Sequence, residues 1–392
     1  MEPIGMKRIC LLGASGSIGR QTLDIIEAFP DQFQLVAFSI GERIHLLPGI
    51  LAKHPHVKHI TVKYEAMIAP IYANYPGISF YHGEAGLLQL IDASKATLVV
   101  NALVGFVGLE PTLFTLNKGI DVALANKEAL VVGGSLVNKA KQAGHADLIP
   151  IDSEHVALDK LLRSVNKKDV ARIVLTASGG SLYRYARSQL NTITPAQALA
   201  HPTWDMGPKI TIDSATMMNK GFEVIEAHHL FHLPNDKIEV VIHPTSKVHS
   251  LIQLVDGTYL ADIGINNMHI PISYALFRRR RVLLPFIKQE PSIVKLAPFE
   301  FKEIDADRFP ALTLARWALD VGGTLPAVLN GANEIAVSAF LADKLRFDLI
   351  EQVIQTAMEA HNVNKHPTYN DLKTADGYAR AKAEAIIKEL SK

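Results

Sequence analysis

A single cysteine, Cys10, stands in 392 residues, so no disulfide can form within the chain. That usage fits a reducing compartment and places the expected location in the cytoplasm. Cys10 lies in the apolar run 9–12 and reads as core rather than nucleophile. Charge of one sign is also missing. Forty Lys and Arg offset 39 Asp and Glu, a formal net charge of +1, so no global field draws the chain to nucleic acid or to a membrane surface. The local exception is four arginines at 278–281, read as a solvated helix end, with a phosphate or interface patch as the alternative. Long hydrophobic runs are lacking too. The longest, 98–109, is broken by Asn101 and falls short of the ~20 residues a membrane helix needs. No signal segment is visible, because Lys7-Arg8 leads at once into a short apolar run and a glycine loop. Met6 reads as the natural start, with the first five residues an upstream extension.

What is present is a chain too long for one small core, so two or three domains are expected. In the first 150 residues short apolar runs at 9–12, 33–40, 57–62, 97–102, 121–125 and 148–151 alternate with helical patterns. Such alternation predicts a doubly wound parallel sheet. Beyond it, strands are expected at 172–176, 209–212 and 239–242, with a hairpin over 251–263 turning at Asp256-Gly257. Helical periodicity returns at 311–319, 327–341, 349–360 and 376–390. The expected organisation is an N-terminal Rossmann-like domain, 1–151, a central mixed α/β catalytic domain, 152–284, a linker, 285–309, and a C-terminal helical bundle, 310–392.

Gly13-Ala-Ser-Gly16-Ser-Ile-Gly19 follows the first strand and opens a helix. Glycines let a backbone approach a pyrophosphate, and the bare N–H groups of a helix start attract its charge, so this loop predicts a dinucleotide site. The second strand ends at Ser39-Ile-Gly41-Glu42-Arg43. An acidic residue there suits the ribose hydroxyls of NAD, and an arginine suits the 2′-phosphate of NADP. Arg43 with Ser39 favours NADP, and Glu42 argues against it.

Asp152-Ser153-Glu154-His155 comes straight after the strand at 148–151. If the chain stays extended, both carboxylates point one way and need a cation between them, of a kind that takes oxygen ligands. The competing reading is a helix start, with Asp or Ser as cap and Glu in the first turn. Ser178-Gly179-Gly180 follows another strand, and Ser214, Thr216, Asn219, Lys220 and Gly221 cluster later. That is a donor set for a phosphate monoester. Between them Trp204 sits on the Pro- and Gly-rich stretch 201–208 and reads as a lid, or as an anchor for its own loop. Glu226 and His229 have a spacing that can hold a metal, but Glu223 lies nearer the phosphate set.

These residues resemble one family. LGASGSIG at 12–19, ALANKEAL at 123–130, PIDSEH at 150–155, TASGGS at 176–181, the block at 201–228 and VLNGANEIAV at 328–337 are similar to motifs of the 1-deoxy-D-xylulose-5-phosphate reductoisomerases. The resemblance implies a homodimer that uses NADPH and one divalent cation, Mg2+ or Mn2+ with Co2+ a third candidate, on a sugar phosphate. It implies NADPH at Ser15, Gly16, Ser17, Ile18, Gly41, Arg43, Asn126, Glu128 and Gly207. It implies the cation at Asp152, Glu154 and Glu223, and substrate at Lys127, Ser153, Glu154, Ser178, His201, Ser214, Asn219, Lys220 and Glu223. Catalytic roles fall to Glu154, Lys127, His201 and the lid residue Trp204. The chain departs from the family at Glu42, where a basic residue is usual, and at Arg43, Asn267-Met268-His269 and Ala157–Lys160. A plain NADP-dependent dehydrogenase of another phosphorylated carbonyl compound is the alternative; it would share the glycine loop without needing three carboxylates.

Overall fold

The computed structural model of the chain describes residues 5–204, 206–289 and 292–390. Residues 1–4 of the expected extension, residue 205 of the expected lid, and residues 290 and 291 of the expected linker lie outside that range. Contacts divide the chain into two discontinuous units. Unit 1 is Met1–Ala129, Leu136–Asp152 and Asn267–Gln289; unit 2 is Leu130–Ser135, Ser153–Asn266 and Glu290–Lys392. Residues 267–289, expected to end the central domain and open the linker, belong to unit 1.

Unit 1 holds seven strands: β1 (Lys7–Leu12), β2 (Phe33–Gly41), β3 (His59–Val62), β4 (Ser79–His82), β5 (Leu98–Asn101), β6 (Asp121–Leu124) and β7 (Leu148–Pro150). Their order is β4-β3-β2-β1-β5-β6-β7, and every pair is parallel. Alternate side chains of β1 go to opposite faces. Ile9 and Leu11 join a core with Leu35, Phe38 and Ile60, while Cys10 and Leu12 join one with Val36, Leu90 and Val99. A sheet buried on both faces is the physical reason its strands read as continuous apolar runs. The strand missed from sequence is β4, an edge strand with no fully buried residue and hence no apolar signature.

The segment that returns to unit 1 carries the helix His269–Leu276, whose Ile272, Ala275 and Leu276 enter the first of these cores, followed by Phe277. Lys7 Nζ donates to the carbonyl of Leu276 at 2.6 Å, and burial beside Arg278 and Arg280 pushes that ammonium down to about 8. The arginines that follow are only in part the solvated helix end expected: Arg278, Arg280 and Arg281 are exposed just past the helix, but two of the four also form ion pairs. Arg278 and Arg279 take left-handed φ of 50° and 66°. Arg278 pairs with Asp121 at 2.5 Å, and Arg279 forks onto both oxygens of Asp147. Asp121 opens β6 and Asp147 stands just before β7, so two of the four arginines clamp this segment to the starting edge of the sheet.

Unit 2 is built on four strands, β8 (Val170–Ala177), β9 (Ile238–Ile242), β10 (Val248–Leu254) and β11 (Tyr259–Ile263), in the order β11-β10-β8-β9. Only β8 and β9 are parallel, so the sheet is mixed. The β10–β11 hairpin forms as expected, but only Gly257, at φ 88°, takes the left-handed region. Asp256 instead accepts from the N–H and hydroxyl of Thr258, at 3.0 and 2.7 Å. Residues 209–212 are not a strand. They lie in the helix Pro208–Thr216, which Gly207 and Pro208 start and which buries Thr211, Ile212, Asp213, Ala215 and Thr216. Proline at the first helical position overrides the β-branched run. The helices Pro310–Val321, Leu325–Leu341, Ile350–Glu359 and Tyr369–Leu390 form the C-terminal helical region. Close approach there needs a glycine: a Cβ on Gly331 would meet the Ala379 Cβ at 3.1 Å.

Candidate active site

In unit 1 the strand order reverses direction at β1, and the loop after it is the glycine loop. Such a switch point opens a crevice at the carboxyl edge of the sheet. Gly13 sits at φ 90°, and a Cβ on it would meet the Ala102 carbonyl oxygen at 2.6 Å. A Cβ on Gly19 would fall 2.2 Å from the Gly13 oxygen, so this position seats the helix Ser17–Ala28 directly on the loop. Gly16 is the cap of that helix and no side chain caps it, which leaves the helix start to a ligand's charge. Ser39 fixes the loop through Oγ, which accepts from the Gly13 N–H at 2.8 Å. Ser15 Oγ donates to the Ile40 carbonyl at 3.1 Å.

At the end of β2, Gly41 takes φ 63° and the chain turns into Glu42-Arg43. Arg43 Nη1 donates to the Ser15 carbonyl at 3.0 Å, bringing the guanidinium to the glycine loop. Glu42 is held by Lys63, Nζ to Oε1 2.5 Å, and this pairing together with Tyr64 raises the lysine's pKa. Lys63 was not anticipated. The signal for it was its place one residue past β3, whose Val62 is in register with Gly41.

Asn126 caps the helix Lys127–Gly144: its Oδ1 accepts from Ala129 N–H at 3.0 Å. Its Nδ2 donates to the carbonyls of Leu103 and Gly105 and to Glu128 Oε2 at 3.1, 3.0 and 3.1 Å. Lys127 Nζ lies 2.6 Å from Asp152 Oδ2, both groups about nine-tenths buried.

In unit 2 the helix Ser153–Leu162 starts at once after Asp152, so Ser153-Glu154 forms a helix first turn and not an extended strand. Ser153 Oγ donates to Glu154 Oε2 at 2.5 Å. Two helices on, Met217 at φ 67° separates Pro208–Thr216 from Met218–Phe231. The first two turns of the latter present Asn219, Lys220 and Glu223. Lys220 Nζ, fully buried, reaches Glu154 Oε1 at 2.6 Å and also contacts Glu223 Oε2. Asn219 Nδ2 donates to Glu223 Oε1 at 2.6 Å. Burial alone would lower the Lys220 pKa, but Glu154 and Glu223 outweigh it and raise it. Two carboxylates from different helices therefore face one buried cation.

Glu226 turns elsewhere: its Oε2 is 3.4 Å from Nδ1 of His155, and His155 Nε2 meets the Glu223 carbonyl at 2.9 Å. His155, inside the quoted motif but given no role from sequence, thus braces the turn that bears Glu223. His229 lies further along the same helix. Its ring lies against Gly134, where a Cβ would meet it at 2.1 Å, and burial pushes its pKa down to about 3.

Ser178 follows β8. Gly179 and Gly180 take φ of 83° and 69°, and a Cβ on Gly180 would lie 2.5 Å from the Ser214 oxygen, so the loop rests on the Pro208–Thr216 helix. His201 Nδ1 accepts from the N–H groups of Thr203 and Trp204 at 3.3 and 3.0 Å. Its proton is therefore on Nε2, which donates to Ser178 Oγ at 3.0 Å. Burial lowers the His201 pKa and keeps the ring neutral. Ser178 Oγ also accepts from Gly180 N–H at 3.1 Å, so both its lone pairs are used and its own proton is left to donate outward. Trp204 is half-buried, and Gly207 caps the helix that follows the expected lid, accepting from Thr211 Oγ1 at 2.9 Å.

Comparison with known proteins gives a consistent set. Residues 9–134 match the 1-deoxy-D-xylulose 5-phosphate reductoisomerase family, and 148–231 and 263–382 match two descriptions of its C-terminal domain. The chain is 45% identical to the 1-deoxy-D-xylulose 5-phosphate reductoisomerase of Geobacillus kaustophilus, over 97% of this chain and 100% of that one. It is 43% identical to the Listeria innocua enzyme, over 97% and 100%. Among solved structures, the Zymomonas mobilis reductoisomerase with NADPH has a TM-score of 0.89 at 36% identity, covering 97% of this chain and 99% of that one. A reductoisomerase complex with NADPH, fosmidomycin and magnesium reaches 0.93 at 34% identity, covering 99% and 100%.

Proposed function

This chain belongs to the 1-deoxy-D-xylulose 5-phosphate reductoisomerase family, and from that premise we propose which of its residues carry the reaction. It is an NADPH- and divalent-metal-dependent oxidoreductase that converts 1-deoxy-D-xylulose 5-phosphate to 2-C-methyl-D-erythritol 4-phosphate for isoprenoid synthesis.

The observation that carries the site assignment is the buried Lys220 ammonium between Glu154 and Glu223. Donors already converged on a cation fit a divalent ion, and Asp152, two residues before Glu154, is within about 7 Å of it by chain connectivity alone. Asp152, Glu154 and Glu223 hold the metal in this reading, and an all-oxygen set suits Mg2+ or Mn2+ and tolerates Co2+. When bound, the metal supplies Lewis-acid polarisation of the substrate's ketone and hydroxyl oxygens. NADPH, when bound, supplies the hydride that completes the reduction.

The chain's own groups do the rest. Ser178 turns its proton outward, and with Ser214, Asn219 and Lys220 it takes the substrate phosphate. His201 ties the backbone of Trp204 to Ser178, so lid position and phosphate binding are linked through one neutral imidazole. Trp204 then closes over the substrate and excludes water. Glu154, hydrogen-bonded to Ser153, is the carboxylate we assign to proton transfer, with Lys127 on Asp152 as the second group. Ser15, Gly16, Ser17, Ile18, Gly41, Asn126, Glu128 and Gly207 complete the NADPH contacts. Arg43 meets the 2′-phosphate, and Lys63 both neutralises Glu42 and adds a second positive charge to that corner.

We also assign a homodimer in the cytoplasm. β11 is an edge strand that exposes Tyr259 and Ile263, a template for pairing with a second copy. No described helix is long and apolar enough to cross a membrane. NADPH oxidation with 1-deoxy-D-xylulose 5-phosphate, run with and without a chelator, tests the reading. The expected result is loss of turnover with chelator and recovery on adding Mg2+ or Mn2+. Full turnover in chelator would remove the metal from the reaction and favour a plain dehydrogenase.

A further inference from the structure

The loop that carries Ser178 is gripped by a residue far along the chain. Arg308, just before the helix Pro310–Val321, is 7% exposed. Its guanidinium lies over the Phe309 ring, 4.6 Å from the centroid. Nε donates to the Tyr185 carbonyl at 3.0 Å, and Nη2 donates to the Leu182 carbonyl at 2.9 Å. One rigid fork thus takes two backbone oxygens three residues apart. Lysine offers a single point of donation and cannot span both. Burial lowers the Arg308 pKa, Arg187 adds to that, and Glu351 and Asp305 oppose it. A charge kept in so buried a place is costly unless its hydrogen bonds are made, and here they are made to the loop.

What the fork holds has little freedom elsewhere. Ser178-Gly179-Gly180-Ser181-Leu182 leaves β8 with two left-handed glycines. Gly180 lies flat on Ser214, and Ser181 Oγ donates to the Ala198 carbonyl at 2.6 Å. The side chain of Leu182 is fully buried. The loop is pinned by β8 at one end and by Arg308 at the other, with Ser178 between these anchors and Ser214 on the Pro208–Thr216 helix that the loop rests on. A small shift at Leu182 would change where the Ser178 hydroxyl points.

We propose that Arg308 is a positioning residue for the substrate phosphate, acting through the carbonyls of Leu182 and Tyr185. The inference rests on the assignment of Ser178 to that phosphate. Its test is steady-state kinetics of Arg308→Ala, Arg308→Lys and Ser178→Ala. Losing two charge-assisted hydrogen bonds is expected to raise KM for 1-deoxy-D-xylulose 5-phosphate by about tenfold or more in Arg308→Ala. KM for NADPH should stay near the parent value. Guanidinium ion at low millimolar concentration should lower the raised KM again, which a general loosening of the fold would not permit. Arg308→Lys should fall between the parent and the alanine variant, and it carries the test if the alanine variant does not fold. An unchanged substrate KM in Arg308→Lys and Arg308→Ala, while Ser178→Ala raises it, would overturn the inference and leave the site intact. Equal rises for substrate and NADPH without guanidinium rescue would also overturn it. An unchanged KM in Ser178→Ala would instead remove the phosphate assignment beneath it.

Discussion

The two units build their binding surfaces from different materials. The proposed nucleotide end of unit 1 is mostly backbone: a loop in which Gly13 and Gly19 admit no Cβ, an uncapped helix start, and carbonyls and amides tied by Ser39 and Ser15. The proposed catalytic end of unit 2 is mostly side chains: partly buried Glu154 with buried Glu223 and Lys220, and Asn219, His155 and His201 fixing their neighbours. A backbone site is damaged by adding atoms. A charged side-chain site is damaged by removing one charge, because the partner left behind is buried and unbalanced.

The sharpest test of that contrast is in unit 2. Glu223→Gln keeps volume and removes one charge, and should weaken Mg2+ or Mn2+ binding by more than the ~100-fold upper range typical of outer-shell changes, with turnover lost. Glu226→Gln, which touches His155 and not Lys220, should stay within that range. Calorimetric metal titration of both variants decides between them. A tight-binding Glu223 variant beside a Glu226 variant that binds nothing would move the site to the other glutamate.

Unit 1 should respond to an added methyl. A Cβ on Gly19 meets backbone atoms of Gly13 and Ala14 at 2.2 and 2.7 Å, and neither can yield without moving the loop. Gly19→Ala is expected to cost roughly 1–3 kcal/mol of stability, the usual range for overpacking, and to weaken NADPH binding while metal affinity stays unchanged. Fluorescence titration with NADPH and a denaturant melt check both halves. Normal NADPH affinity would mean that the loop does not hold the pyrophosphate.

The smallest effect belongs to the exposed rim of unit 1, where side chains do matter. Arg43→Ala and Lys63→Ala should each raise the Kd for NADPH, by about three- to tenfold given the screening of exposed charges, and leave NADH alone. Equal losses for both cofactors would place the 2′-phosphate elsewhere.

The same contrast explains what the sequence made legible. A backbone site is local: Gly13 to Gly19 sit in one stretch, and strand, loop and helix follow in order. The parallel sheet was readable because its strands are buried on both faces. The side-chain site is assembled from afar. His155 meets the carbonyl of Glu223 across a sequence separation of 68, and Arg308 meets Leu182 across 126. Nothing in the spacing of either residue announces its partner. Residues 209–212 were misread because their β-branched pattern suits a strand, while the Gly207-Pro208 start that governs them lies just outside the run. Glu42 looked like an argument against NADP only because Lys63, which engages it, arrives from another strand.

The clamp of residues 267–289 onto the first sheet has a consequence for the order in which the chain is made. Lys7 bonds to Leu276 across a separation of 269, and Phe29 and Phe33 both pack edge-on against Phe277, with ring centroids 5.0 and 4.8 Å away. A nascent chain that has emerged only to Asp152 owns all seven strands of the sheet, yet one of its faces still lacks Ile272, Ala275, Leu276 and Phe277. Asp121 and Asp147 meanwhile wait for Arg278 and Arg279. The first unit to leave the ribosome therefore cannot close as it emerges, and its apolar face stays open through the synthesis of more than a hundred further residues, 153–266.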